Sequence, residues 1–173
     1  MMQLLTNGGG DQMIELTLSN KKGKINIKSS DVKDILESRP DFEYIQDISE
    51  TIKQEGIMVY DCQLSKEIFN LDDIEEIKEE MGQDIDDSYF DVLFEDIRAY
   101  LKDATDEIEV EIQEKYILDN VRCYFDIYNI DETFTDFKFV FLVSFKDIKI
   151  ASLTNLSKII GKRQLSGASK FYS

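Results

Sequence analysis

The sequence predicts a single α+β domain, mainly an antiparallel sheet packed by amphipathic helices, with flexible or partner-bound termini. Three observations predict it. Several short stretches alternate apolar and polar residues with the period of two that a half-buried strand requires, and others repeat apolar residues at helical spacing. These stretches run strand, helices, strands, helix, an order that suits antiparallel neighbours with helices laid against them. Finally, 173 residues with 42% apolar and 11% aromatic content are enough for one packed core, despite 32% charged residues. No internal repeat is present.

The elements follow in order. Ile14, Leu16 and Leu18 alternate with polar neighbours, and Ile25 and Ile27 alternate again after Asn20-Lys21-Lys22-Gly23. The pair reads as a hairpin with Gly23 at positive φ. Ser29, Ser30 and Asp31 offer N-cap oxygens to a short helix carrying Val32, Ile35 and Leu36, which the only proline, Pro40, ends. Ile45, Ile48 and Ile52 recur at helical spacing and predict a helix with Gly56 as its C-cap, before a short strand from Ile57 to Tyr60. Asn70 caps a helix with Leu71, Ile74, Ile77 and Met81 on one stripe, and Gly82 interrupts it.

Residues 84–103 predict the most pronounced amphipathic helix. Tyr89, Phe90, Leu93, Phe94, Ile97, Tyr100 and Leu101 gather on one face, while Asp86, Asp87, Asp91, Glu95, Asp96 and Asp103 lie mostly elsewhere. A sheet is then expected from three alternating runs: Ile108, Val110 and Ile112; Val121, Cys123, Phe125 and Ile127; and the odd positions from Phe137 to Phe145. Val140 and Leu142 make the last run apolar on its second face too, which predicts a central strand covered on both sides. Asp131-Glu132-Thr133 forms the connecting turn. From Ala151 a short helix through Leu153, Leu156, Ile159 and Ile160 stops at Gly161. The organisation is an arm at 1–12, the domain at 13–161 and a basic tail at 162–173.

The net charge of −16 disfavours direct binding to nucleic acid or to an anionic membrane, because phosphate affinity rests on clustered Lys and Arg. The charge is concentrated. Residues 41–112 carry 24 acids against 5 bases, and residues 146–173 carry 6 bases against 1 acid. The first twelve residues lack basic residues and a long apolar run, and no stretch is apolar enough to cross a bilayer. Two isolated cysteines, Cys62 and Cys123, suit buried free thiols in a reducing compartment. The chain therefore reads as cytoplasmic, in a host cell or its virion if viral.

Catalytic motifs are sparse. Without histidine there is no Ser–His or Cys–His pair and no default general base. Gly8-Gly9-Gly10 lacks both the strand before it and the Lys-Ser/Thr after it that a phosphate loop needs, and Gly161-Lys162 lacks the earlier glycine. Asp84, Asp86, Ser88 and Glu95 have calcium-loop spacing, but Tyr89 stands where that loop needs glycine, so the start of an acidic helix is expected instead. No metal or cofactor is expected, and the absence of Trp argues against a carbohydrate cleft. The expectation is a protein that is not an enzyme.

A non-catalytic protein–protein interaction module is expected instead. The first reading is a structural or assembly subunit of a larger particle, such as phage or tail-like machinery, because oppositely charged segments favour head-to-tail packing. The alternative is an acidic inhibitor: a nucleic-acid mimic of the anti-CRISPR or anti-restriction kind, or a toxin immunity protein. The partner is a copy of the chain or a basic nucleic-acid-binding protein. The acidic interaction face is assigned to Asp72, Asp73, Glu76, Asp86, Asp87, Asp91 and Glu95, and the basic one to Lys158, Lys162, Arg163 and Lys170.

Overall fold

The computed structural model describes residues 13–65, 87–130 and 137–172, and of 87–90, 92, 93 and 167–172 the backbone alone. Its described residues form an α+β fold of two antiparallel sheets and four helices, in agreement with the sequence.

Strands β1 (Glu15–Asn20) and β2 (Gly23–Lys28) form the expected hairpin. Gly23 has φ of +127°, a backbone conformation that side chains with a Cβ rarely adopt. Helix α1 (Ser29–Glu37) buries Val32, Ile35 and Leu36. Its N-cap is Lys28, which makes no side-chain cap bond, so the predicted serine caps are a misreading. Ser29 is already helical and spends its hydroxyl on tertiary contacts: it donates to Asp47 Oδ2 and accepts the Ile14 N–H at 2.8 Å.

The helix expected over Ile45 to Ile52 is a strand followed by a single turn. Strand β3 (Phe42–Asp47) pairs with β4 (Ile57–Leu64), and only Ser49–Ile52 are helical, as α2. That turn ends on Lys53 in the left-handed region, and Gly56, at φ +75°, instead starts the approach to β4. The predicted helix of 71–81 and the turn at 131–133 lie outside the described residues.

Helix α3 (Asp87–Tyr116) is longer than predicted and absorbs Ile108, Val110 and Ile112, which had the alternation of a strand. The correction has a simple cause. Ile97, Leu101, Ala104, Ile108 and Ile112 recur every three or four residues, all are buried, and Val110 between them is half exposed.

Strands β5 (Arg122–Ile130) and β6 (Phe137–Ser144) complete a four-stranded sheet in the order β3-β4-β6-β5. The sheet has two apolar faces because β6 does. Phe137, Phe139, Phe141 and Val143 pack with α1 and α3 in the larger core, where Phe42 meets Phe139 edge to face at 5.2 Å. Val140 and Leu142 pack with Ile57, Val59, Leu153 and Ile160 in the smaller one. Each fully buried side chain of this size contributes roughly 1.5–3 kcal/mol, so a strand apolar on both faces belongs at the centre.

Helix α4 (Ile150–Tyr172) covers the second face. It does not stop at Gly161 but runs through it.

Candidate interaction surfaces

The outer side of α3 is acidic. The helix carries ten acids against three bases, and with its inner side committed to the core most of the carboxylates whose side chains are described are exposed. Asp91 and Glu95 are exposed, as the sequence predicts, and Asp87 lies on the helix with its backbone alone described. Asp96, Asp103, Glu107 and Glu114 are exposed too. At 100° per residue these four fall on one line along the helix, about 27 Å long at 1.5 Å per residue. Glu107 in that row accepts from Arg39 Nη2 at 3.0 Å, which ties α3 to the end of α1. Of the other predicted acids, Asp72, Asp73, Glu76 and Asp86 lie outside the described residues. A strand over 108–112 would end the helix before Glu107 and Glu114 and so hide them from this face; the unbroken spacing from Ile97 to Ile112 is the signal that includes them.

Helix α4 is the counterpart, with four bases and no acid. Lys158, Lys162 and Arg163 are exposed, and Lys170 is helical with its side chain undescribed. The last three therefore belong to a helix, not to a separate tail. A stripe of small and polar residues seats it. Thr154 Oγ1 lies 3.0 Å from the Tyr124 hydroxyl, and Ser157 Oγ lies 3.2 Å from Asp126 Oδ2. Gly161 packs on Tyr128, and Gln164 Nε2 donates to Asp61 Oδ2 at 2.8 Å. The Tyr128 hydroxyl reaches the other oxygen of Asp61. Positions 154, 157, 161 and 164 share one helix face.

These packings put the two charged helices on opposite sides of the sheet. The inner residues of α3 share a core with the Phe139 face of β6, and those of α4 share one with the Val140 face. An acidic layer and a basic layer thus flank one sheet.

Several buried polar groups are bonded to one another. Asp47 is fully buried and accepts from Ser29 Oγ, Ser49 N and Ser49 Oγ, while the buried Tyr60 hydroxyl donates to Ser29 O. This network joins the start of the hairpin, α1, β3 and β4. The Cys62 and Cys123 thiols are pushed well above 9.0, chiefly by burial, with Asp61 adding at Cys62 and Glu109 at Cys123. Both stay protonated at neutral pH and are poor nucleophiles there. Tyr100 rises to about 12 through burial and its hydrogen bond to Asp41.

Of the suspected calcium loop, residues from Asp87 onward are helical, as expected of an acidic helix. Among the described residues no three His, Cys, Asp or Glu side chains converge as metal ligands, and no helix is long and apolar enough to cross a membrane. A cleft of about 510 Å³ opens between α3 and β5, lined by Glu95, Arg98, Lys102 and Asp106 on one wall and Cys123 and Phe125 on the other. Comparisons with protein-family models, with curated proteins and with solved structures return no match.

Proposed function

We propose that the protein is a non-catalytic protein-binding module, a subunit of a larger particle such as phage or tail-like machinery, that associates head to tail through its two charged helices. The observation supporting this reading is the net −7 of α3 and net +4 of α4 on opposite faces of one sheet. A patch complementary to a different patch of an identical molecule makes a heterologous contact, and such contacts build rings or filaments.

Sedimentation of the intact chain tests this. Association is expected at about 0.1 M salt and is lost near 1 M, where the Debye length falls from about 10 Å to about 3 Å. Reversing Asp96, Asp103 and Glu114 to Lys yields a monomer, and so does reversing Lys158, Lys162 and Arg163 to Glu. An equimolar mixture of the two variants associates again. A wild-type chain that stays monomeric in low salt sinks the assembly reading. Truncation after Gly161 is a poor test, because it also deletes the Gln164–Asp61 bond that seats α4.

The straight row Asp96, Asp103, Glu107 and Glu114 favours a second reading, an acidic inhibitor that offers carboxylates where a basic protein expects phosphates. In that case the chain is monomeric, it displaces DNA from a basic nucleic-acid-binding protein, and only the α3 reversal abolishes the displacement.

A further inference from the structure

Strand β5 is an outer strand of the sheet. Along an antiparallel pair, successive residues alternate between bonding to the partner strand and pointing away from it. The Cys123 N–H points away from β6, since Glu109 Oε1 accepts it at 2.8 Å. The same alternation places the N–H and C=O of Phe125 and the N–H of Ile127 on the open edge, up to the register shift between Ile127 and Asn129. Among the described residues, Glu109, and Gln113 bonding to Val121 O at 3.2 Å, close only the start of this edge. Natural sheets blunt such edges with lysine, proline or a covering element. The run Cys123 to Ile130 has neither residue and is rich in aromatic and β-branched side chains. The cleft of about 510 Å³ runs beside it, between Phe125 and the α3 flank that bears Glu95, Ala99 and Thr105.

We propose that β5 is a docking edge, on which an extended basic segment of a partner protein adds as a fifth strand. Main-chain bonds to Phe125 and Ile127 hold the segment, and the residue opposite Phe125 places an apolar side chain in the cleft beside Ala99. Charge selects a basic occupant. The chain carries −16 and α3 carries −7. The lining of the cleft is itself balanced, Glu95 and Asp106 against Arg98 and Lys102, with Lys102 paired to Asp106 at 3.6 Å and Arg98 over the Phe94 ring at 5.7 Å. The preference for a basic segment therefore comes from the wider charge of the chain, and exposed Glu95 is the carboxylate beside Ala99 that a lysine of the segment reaches. A second copy pairing through its own β5 would bring the same acidic flank to the same edge and is repelled. This site goes beyond the charge-layer reading, because it uses a different flank of α3 from the Asp96–Glu114 row.

The probe is the blocked peptide KVKVKVKVK, titrated into the full chain while backbone amide exchange is followed. Saturation slows exchange at Phe125 and Ile127 at least about tenfold, and the peptide EVEVEVEVE binds at least about tenfold more weakly, a difference of about 1.4 kcal/mol. Ala99→Trp fills the cleft from an exposed helix position and weakens binding at least about tenfold with the helical content of the protein intact. A proline at the centre of the probe, which removes a main-chain donor, does likewise. The proposal is overturned if Ala99→Trp binds the lysine peptide as wild type does, since the peptide then merely coats an acidic surface. It is also overturned if the two amides gain protection on concentrating the protein alone, which assigns the edge to a second copy, or if no protection develops at all. The charge-reversal variants of the preceding section leave Ala99 untouched, so the two proposals fail separately.

Discussion

Gly161 lies so close to Tyr128 that a Cβ built at position 161 would fall 2.8 Å from the Tyr128 Cβ. Contacts this short leave no room for a methyl group unless helix and strand part. The glycine is therefore a point of close approach between α4 and β5, with Thr154 and Ser157 before it and Gln164 after it bonding to the same side of the sheet.

Gly161→Ala is expected to destabilise the protein by about 1–2 kcal/mol. Overpacking costs about 1–3 kcal/mol, and the better helix propensity of alanine returns at most about 1. Ser166→Ala, at an exposed position of the same helix, changes stability little. Urea unfolding midpoints of the two variants decide it: a Gly161→Ala protein as stable as wild type shows that the close approach is not needed.

Ser49 does two jobs in the buried network. Its hydroxyl donates to Asp47 Oδ1 at 2.7 Å and accepts the Val59 N–H at 2.9 Å. Ser49→Ala leaves that buried N–H without a partner and is expected to cost about 1–3 kcal/mol. Thr17→Ala removes a hydrogen bond of similar geometry, to Asn26, at an exposed site and should stay within about 0.5 kcal/mol. Equal losses in the two variants would contradict the role given to burial.

Stability should decline on the alkaline side. Cys62 and Cys123 hold their protons in the folded protein well above their ordinary 9.0, and Tyr100 does so from 10.0 to about 12. The unfolded chain releases these protons first. Their contribution is thus complete below about pH 9 and fades as pH rises through the folded values. Unfolding midpoints taken from pH 7 to pH 10 should begin to drop near pH 9, and a midpoint that climbs over this range would reverse the sign. Both thiols should also resist a disulfide reagent in the native protein at pH 8, and both should react in urea without prior reduction, since neither is bridged.

Ile117 ends α3 with φ of +54°, a left-handed conformation that costs a β-branched residue about 1–2 kcal/mol. The Leu118 N–H then returns to Gln113 O at 3.0 Å. Ile117→Gly should raise stability by up to about 1 kcal/mol, because the side chain is partly exposed and little packing is lost. A clear drop in melting temperature would mean that the Ile117 side chain matters more than the strain.

Where one local pattern decided an element, the sequence alone was sufficient. The turn at Gly23, the apolar stripe of α1 and the two apolar faces of β6 are of this kind, since each depends on residues a few positions apart. A spacing of four, however, satisfies both a helix and a strand. Ile108 and Ile112 took the helix because α3 continues across the larger core, whereas Ile45 joined a strand because β4 offers 42–47 a free edge. Gly161 reads as a stop because glycine ends helices by its backbone freedom, and only the Tyr128 Cβ against it shows that its small size is what matters. The segregation of charge along the chain was visible in the composition, but its division between two faces came from the packing of α3 and α4 on opposite sides of β6. The outer place of β5 among the described strands was beyond any local reading, because which strand lies outermost depends on pairing order, and pairing order is set by contacts far apart in the chain.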